Sequence, residues 1–345
     1  MRFAGGEVAV GSYEEAGVSI DAGNRAAALM RAAVESTHGP GVVPLPGGFA
    51  GLYRLSGYRE PVLASTVDGV GTKVLVADEL GRYTSLGADI VNHCANDVLA
   101  TGARPLIFLD YVASGRLIPE VVAGIVSGAA EACRELGVAL VGGETAEMPD
   151  LYGSALDVVG ACLGVCERGE LVTGELVRAG DAVLGLASSG LHTNGYTLAR
   201  RVLADAGVGY GDTWRGLGRT VGEEYLEPHR AYVRQIEALR REVEVRGMAH
   251  VTGGGLVENL PRALGGLGAR LRAGSWEEPP VFAMIRELGG IPEDEMRRVF
   301  NLGVGFCVVV GAAEAGRALK ILHGTGCKAW HIGEVVENGG TVEFA

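Results

Sequence analysis

The chain has 345 residues, with 42 acidic against 30 basic side chains and a net charge of −12, a balance that opposes non-specific attraction to nucleic acid or anionic lipid. Apolar residues make up 48% of it, yet no apolar run approaches the ~20 residues of a membrane span, and no secretory or transit pattern opens it; a soluble, cytoplasmic protein acting on small molecules is expected. The length suggests two domains.

Six cysteines, at 94, 133, 162, 166, 307 and 327, are too sparse for a disulfide framework or a zinc ribbon and read as reduced core thiols. Glycine accounts for 56 residues, about twice the usual share of roughly 7%. No collagen period explains this excess, so the glycines serve turns and close backbone approaches.

Residues 1–60 look loosely structured, with Gly39-Pro40-Gly41 and Pro44-Leu45-Pro46-Gly47-Gly48 and an Ala-rich amphipathic helix near 25–35 that follows Asp21, but aromatic and aliphatic residues recur enough to favour a segment that packs on something over a disordered tail. The β-rich run 62–67 then opens into Asp68-Gly69-Val70-Gly71-Thr72-Lys73. Glycines bare the backbone, Asp68 can face a cation, and Lys73 can reach a phosphate. The spacing is not that of a P-loop, and a plain turn remains the alternative. Lysine is rare here (Lys73, Lys320 and Lys328), which singles out Lys73.

The stretch 92–105 reads as a helix carrying Asn96 and Asp97, stopped by Gly102, with Pro105 leading into a buried strand at 106–110. Asp97 on such a helix is either solvated or a metal ligand, and the helix alone does not decide. Apolar positions at helical spacing predict a helix over 118–137. A short strand at 138–141 ends in Gly142-Gly143-Glu144, a second strand end that delivers a carboxylate behind glycines. After a strand at 156–166, the polar stretch 167–180 is the candidate linker.

The second half opens with a strand at 181–187 that runs into Ser188-Ser189-Gly190-Leu191-His192-Thr193-Asn194-Gly195 and a helix at 196–203. Hydroxyls, an imidazole and an amide around glycines at a helix start suit an anion, most simply a phosphate monoester. His250-Val251-Thr252-Gly253-Gly254-Gly255, before a helix at 256–264, is another such start. No Gly-x-Gly-x-x-Gly fingerprint occurs, which counts against a Rossmann dehydrogenase. A strand at 306–310, a helix at 312–323 and strands near 330–336 and 341–344 close the chain. The expected class is α+β: two α/β domains, each a mixed or antiparallel sheet layered with helices, spanning 1–167 and 168–345.

Together these motifs resemble one ATP-dependent superfamily. Asp97-x4-Gly102-Ala103-x-Pro105 matches the signature shared by phosphoribosylformylglycinamidine cyclo-ligases, formylglycinamidine ribonucleotide synthetases, selenophosphate synthetases, thiamine-monophosphate kinases and a hydrogenase maturation protein. The run 17–24, the stretches 65–73, 142–149 and 188–196, Tyr225-Leu226-Glu227-Pro228 and 250–259 are similar to the cyclo-ligase branch in order and completeness. Selenophosphate synthetases carry a reactive Cys closely followed by Lys near the N-terminus, whereas here Lys73 precedes the first cysteine, Cys94. Two positions depart from the cyclo-ligase pattern: His93, where an apolar residue such as Met is usual, and Leu302, where Cys is common.

The resemblance implies ring closure of formylglycinamidine ribonucleotide with ATP and Mg²⁺. ATP phosphorylates an amide oxygen that would otherwise leave as hydroxide, and the amidine nitrogen then displaces phosphate, a reaction of positioning and charge neutralisation. It implies Lys73, Asp97 and His192 as catalytic groups, and Asp68, Asp97 and Glu144 as metal ligands. ATP contacts fall to Asp21, Asp68, Gly69, Gly71, Thr72, Lys73, Asn96, Gly142 and Gly143, with the N-terminal segment folding over the nucleotide. The substrate phosphate falls to Ser189, His192, Thr193, Asn194, Gly253, Gly254 and Gly255. It also implies a homodimer in which the first-domain sheets join. The alternatives are a nucleotide-binding module without chemistry or a sibling phosphoryl-transfer enzyme.

Overall fold

The computed structural model describes residues 13–345; the first part of the stretch expected to be loose, residues 1–12, lies outside the described residues. A short ribbon of β1 (Val42–Val43) and β2 (Leu52–Tyr53) precedes a sheet of β3 (Pro61–Gly69), β4 (Arg104–Ser114), β5 (Ala139–Glu147) and β6 (Leu156–Glu167), ordered β3-β6-β4-β5. Only β4 and β5 run parallel in it. The second sheet holds β7 (Ala182–Ala187), β8 (Val245–His250), β9 (Gly268–Leu271), β10 (Val304–Val310), β11 (Ala329–Val336) and β12 (Val342–Phe344). Its order is β12-β9-β11-β7-β10-β8, antiparallel except for β12 beside β9. Two sheets layered with helices, both mixed, make the α+β architecture expected.

Helices α1 (Ile20–Glu35), α2 (Val74–Leu80), α3 (Thr84–Ala100) and α4 (Pro119–Leu136) accompany the first sheet. The start of α1 lies earlier than its apolar spacing suggests, because Ser19 caps it by accepting from the Ala22 N–H at 3.2 Å. The Ser19 N–H in turn donates to Glu147 Oε2 at 2.6 Å, and α1 packs on α4. The described part of the N-terminal stretch is therefore docked, as its recurring apolar residues favour. Helix α4 begins at Pro119, within the predicted span, and ends at Leu136, where Gly137 with φ of 66° makes a left-handed cap.

Helix α3 is the hub. It packs on β3, β4 and β6 with one side, and on α4 and β8 with others. An apolar cluster containing its Ile90 and Cys94 runs from Phe108 of the first sheet to Tyr196, Tyr225, Phe282 and Phe300 of the second half. Ala95 and Leu99 belong to a further cluster with Leu184 and Phe306. The two halves thus share core through one helix. Gly102 ends α3 with φ 89°, and a Cβ there would lie 2.7 Å from Glu170 O, so only glycine fits. The expected linker at 167–180 is stitched down as well: Val172 N–H donates to Thr101 O at 2.9 Å, and Arg240 to Gly102 O at 2.5 Å and Glu170 O at 2.6 Å.

Register sorts the first sheet into two faces. Phe108, Val112 and Val158 are buried on the α3 side, and the row Asp68–Gly160–Asp110–Gly143 shares it. The opposite face carries Leu63, Val67, Leu109 and Tyr111, with Tyr152 of the short helix Pro149–Tyr152 against Tyr111; Leu63 and Val67 stay 62% and 67% exposed.

Asp110 supplies a test of the inner face. Burial lifts its carboxyl from 3.8 to about 6, opposed only by its own backbone N–H. The folded chain therefore holds this proton to higher pH than the unfolded chain, so stability falls as pH rises between about 4 and 6. Asp110→Asn should stabilise the protein by roughly 1–3 kcal/mol in urea unfolding at pH 8 and by almost nothing at pH 4. An equal effect at both values would contradict this reading.

Candidate active site

Where the halves meet, the first anchor is Lys73, at the end of the 3₁₀ turn Gly71–Lys73 between β3 and α2 and fully buried. Its ammonium donates to Asp89 Oδ1 at 2.8 Å and Glu227 O at 2.7 Å, with His192 O at 3.5 Å. Asp89 Oδ1 also accepts from the His229 N–H at 2.8 Å. The amine expected to reach a phosphate is thus buried and engaged by protein groups. The strand-end glycines follow suit: Gly69 N–H donates to Asp68 Oδ1 at 2.7 Å, Gly71 sits at φ 69°, and Thr72 pairs its hydroxyl with Thr197 at 3.0 Å.

A similar correction applies to Asn96. Its amide donates to Arg230 O at 2.8 Å and its carbonyl accepts from the Tyr232 N–H at 3.0 Å, while Asn92 donates to His229 O at 2.7 Å. Asn96 is fully buried. The two carboxamides, one helical turn apart, clamp the extended segment after Pro228 instead of facing a nucleotide.

That segment delivers His229 into a group of buried imidazoles with His93, His192 and His250. His250 Nδ1 lies 2.8 Å from Asp97 Oδ1, and its Nε2 lies 2.9 Å from His229 Nε2. His229 Nδ1 is 3.3 Å from Thr193 Oγ1, which is 2.7 Å from His93 Nδ1. His93 Nε2 approaches Asp68 Oδ2 at 3.0 Å and Asp97 Oδ2 at 3.9 Å. The Asp68 approach lacks hydrogen-bond alignment and is a contact of charge.

Burial and mutual repulsion drive His229 and His192 well below the ordinary imidazole range. His250 is lowered by burial despite its bond to Asp97. Burial also opposes charge on His93, but Asp68, Asp97 and Asp89 together lift its pKa. Burial opposes ionisation of Asp68 and Asp97 in turn, and the facing imidazoles outweigh it, keeping both below the usual carboxylate range.

His192, expected among the catalytic and phosphate-facing groups, is interior. Its backbone is left-handed at φ 64°, its ring stacks on His229 at 3.9 Å, and its Nε2 accepts from the Ser189 N–H at 3.2 Å. Ser189 Oγ is committed to Pro228 O at 2.6 Å, and Thr193 to the imidazoles. Of the expected phosphate loop, Asn194 and the backbone at Gly195 remain half-exposed. The glycine loop 253–255 is its neighbour: a Cβ on Gly253 would lie 3.6 Å from Asn194 Nδ2. Gly254 and Gly255 hold φ of 95° and 59° beside it.

Asp68, His93, Asp97 and His250 line one wall of a cavity of about 550 Å³ between the halves, with Asn259 and Arg262 also on its lining. The Asp68 and Asp97 side chains are 44% and 29% exposed, so both carboxylates are reachable from solvent. Glu144 is not part of this group. Register pairs it with Tyr111, on the sheet face opposite Asp68, and its carboxylate accepts from the Thr145 N–H at 2.8 Å. Gly142 lies on that opposite face as well, whereas Gly143 shares the Asp110 row. Asp21 lies in the exposed first turn of α1. Sequence reading missed Asp89, His229 and Arg262. Asp89 had a signal in its i, i+4 and i, i+8 spacing to His93 and Asp97, and His229 in following Pro228 directly.

Comparison with known proteins gives this geometry a family. The model of the AIR synthase related protein N-terminal domain matches residues 47–166, and that of the C-terminal domain matches 178–344. A phosphoribosylformylglycinamidine cyclo-ligase of Geobacillus kaustophilus (strain HTA426) is 47% identical over 97% of this chain and 98% of its own length. The chain belongs to the phosphoribosylformylglycinamidine cyclo-ligase family. Another cyclo-ligase, from Gloeobacter violaceus (strain ATCC 29082 / PCC 7421), is 46% identical over 96% of this chain and 99% of its own. Among solved structures, thiamine-monophosphate kinase from Stenotrophomonas maltophilia K279a shares the fold at TM-score 0.70 and 17% identity, covering 92% of this chain and 95% of its own. The hydrogenase maturation protein HypE in complex with ATP does so at TM-score 0.68 and 19% identity, covering 96% and 93%.

The cyclo-ligase scaffold therefore rests on a buried ion pair whose removal is measurable. Asp89→Asn leaves the Lys73 ammonium without its counter-charge and should cost about 3–5 kcal/mol in urea unfolding. A loss below about 1 kcal/mol would show that the pair does not anchor the site.

Proposed function

We propose that the cavity between the halves is where ATP and substrate meet, with Asp68 and Asp97 holding Mg²⁺. The family reaction frames this: the chain is an ATP-dependent cyclo-ligase that converts formylglycinamidine ribonucleotide to aminoimidazole ribonucleotide, ADP and phosphate in purine biosynthesis. The single observation that carries the reading is the pair of solvent-reachable carboxylates on one cavity wall, each set against a buried imidazole.

The two carboxylates come from different elements, Asp68 from the end of β3 and Asp97 from α3. Their oxygens suit a hard dication. A bound Mg²⁺ would neutralise charge on the transferring phosphoryl group. The protein's own contribution is positioning. His250 fixes the Asp97 carboxylate from one side and Thr66 Oγ1 donates to it at 3.2 Å from the other. Arg262 adds a positive charge to the same cavity. Asn194 and the adjoining amides at 253–255 are the groups left to take the ribose phosphate. Lys73 and His192 act from behind, as positioning residues that hold the loops carrying Asp68 and Asn194.

The exposed face of the first sheet is assigned to a second copy of the chain. Leu63 and Val67 expose apolar surface there, beside Leu109 and Tyr111, a face that a lone soluble protomer would leave wet. Glu144 stands on that same face, apart from Asp68 and Asp97. Val67→Asp should turn a dimer into a monomer in sedimentation velocity; a native chain that already sediments as a monomer would remove this part of the reading.

Incubation with ATP and Mg²⁺ should release ADP only when formylglycinamidine ribonucleotide is present. Asp97→Asn should lower that rate by at least about 100-fold, the scale of losing one group that neutralises transition-state charge. Substrate-independent ADP release would point to a sibling activity, and a fully active Asp97→Asn would take this carboxylate out of the metal site.

A further inference from the structure

The cavity between the halves carries carboxylates at one end and a single strong cation at the other. Among the described residues on its wall, Arg262 is the one lysine or arginine, set against Asp68 and Asp97. We propose that Arg262 takes the 5′-phosphate of formylglycinamidine ribonucleotide and is the residue by which the site distinguishes that ribonucleotide from its dephosphorylated ribonucleoside. The proposal rests on the reading above that ATP and substrate meet in this cavity, and it supplies the counter-charge that Asn194 and the loop 253–255 lack.

Three observations carry it. First, the neighbouring cations are already engaged. Lys73 is buried against Asp89 and Glu227 O, and Arg230 donates to Ala187 O at 3.0 Å. The imidazoles face Asp68, Asp97 and one another. Arg262 differs: its Nη1 makes one long hydrogen bond, to Asn259 Oδ1 at 3.4 Å, and it has no ion pair among the described residues. An uncommitted guanidinium is a fork of donors matched to phosphate oxygens.

Second, other donors gather beside it. Asn259 is buried; its Oδ1 faces Arg262 and also Thr252 Oγ1 at 3.3 Å, while its Nδ2 donates to Gly253 O at 3.0 Å and Gly255 O at 2.8 Å. The carboxamide thus ties the guanidinium to the glycine loop. Thr173 and Gly174 line the same cavity, and their N–H groups donate to nothing among the described residues. Gly174 has φ 85°, and a Cβ there would lie 2.8 Å from Ala263 O, so only glycine brings this backbone against the turn Leu260–Ala263 that carries Arg262. Glu258, beside Gly254, would oppose an anion here, and it is paired with Arg298 at 3.1 Å.

Third, the spacing separates two anions. The turn carrying Arg262 meets the edge strand β8 at Gly247, where a Cβ would lie 2.5 Å from Ala263 O, whereas Asp97 meets the same strand at His250. Three strand residues span roughly 10 Å. A cation on the carboxylates neutralises the phosphates of ATP. The phosphate of the ribonucleotide lies across a ribose from the reacting amidine and needs a charge at that remove. Placed on Arg262, it leaves the reacting end directed toward Asp68 and Asp97.

The test is steady-state kinetics of Arg262→Gln in the full chain, with the ribonucleotide and its dephosphorylated ribonucleoside compared on one preparation so that any misfolded fraction cancels in the ratio. The variant should raise KM for the ribonucleotide at least about 30-fold, the scale of removing one partner of a desolvated charge pair, while kcat and the KM for ATP change less than about threefold. For the ribonucleoside, kcat/KM should stay at its native value, so the preference for the phosphorylated substrate falls by the same factor. Arg262→Lys keeps the charge but not the fork and should recover part of the loss. Equal losses with both substrates would make Arg262 a structural residue, and a raised KM for ATP alone would place it on the nucleotide; either result overturns the proposal. A silent Arg262→Gln beside an inactive Asp97→Asn would overturn the phosphate role and spare the cavity reading, whereas silence of both variants would overturn the two together.

Discussion

A lysine with no access to water cannot keep its charge unaided, and in this chain the solution to that problem also assembles the site. Lys73 draws Asp89 of α3, the carbonyl of Glu227 and the carbonyl of His192 onto one ammonium, and Asp89 reaches on to the His229 N–H. Four separate pieces of chain are thereby fixed to one point: the turn after β3, helix α3, the segment around Pro228 and the loop 188–195. Asp68 lies five residues before Lys73, and Asp97 lies eight after Asp89 on the same helix, so the geometry of both carboxylates descends from this pair. Its value is conditional, since a buried pair contributes little over a well-packed apolar substitute and costs heavily when half of it is removed.

Helix α3 turns that anchor into architecture. A helix surrounded by protein is usually apolar all round, yet α3 buries Asp89, His93 and Asn96 among Ile90, Cys94 and Leu99. Each polar member is spent on a defined partner across the seam: Asp89 on Lys73 and His229, Asn96 on Arg230 and Tyr232, His93 on Thr193 and Asp68. Polar contacts with fixed partners specify one docking of the second half on α3, whereas the shared apolar cluster supplies burial without direction. The imidazole group extends the same logic to the cavity wall, where burial keeps His192 and His229 neutral and lets them pack face to face.

The parts of this organisation visible in the sequence were those written in local chemistry. The period of α4, its Pro119 start and its Gly137 stop specify that helix without reference to anything else. So does the β-rich run of β3 before Asp68. The Asp97 to Pro105 signature and the order of the glycine loops led to the family. What was hidden depends on partners distant in sequence. Lys73 in a glycine loop reads as a phosphate ligand until Asp89 is found opposite it, and His192 beside Ser189 and Asn194 reads as an anion group until His229 is found stacked on its ring. Glu144 shares its strand-end setting with Asp68, but a strand's faces alternate residue by residue, and only the register with Tyr111 reveals that it points the other way.

The chemistry of this site depends on where the nucleotide sits relative to Asp68 and Asp97. The most direct measurement is a crystal structure of the full chain with a non-hydrolysable ATP analogue and Mg²⁺. The triphosphate should lie in the cavity between the halves, with the cation on Asp68 and Asp97 and the phosphates out of reach of Lys73. A nucleotide bound in the groove beside Arg104, Glu237 and Arg240, or phosphates held by a Lys73 released from Asp89, would contradict this placement.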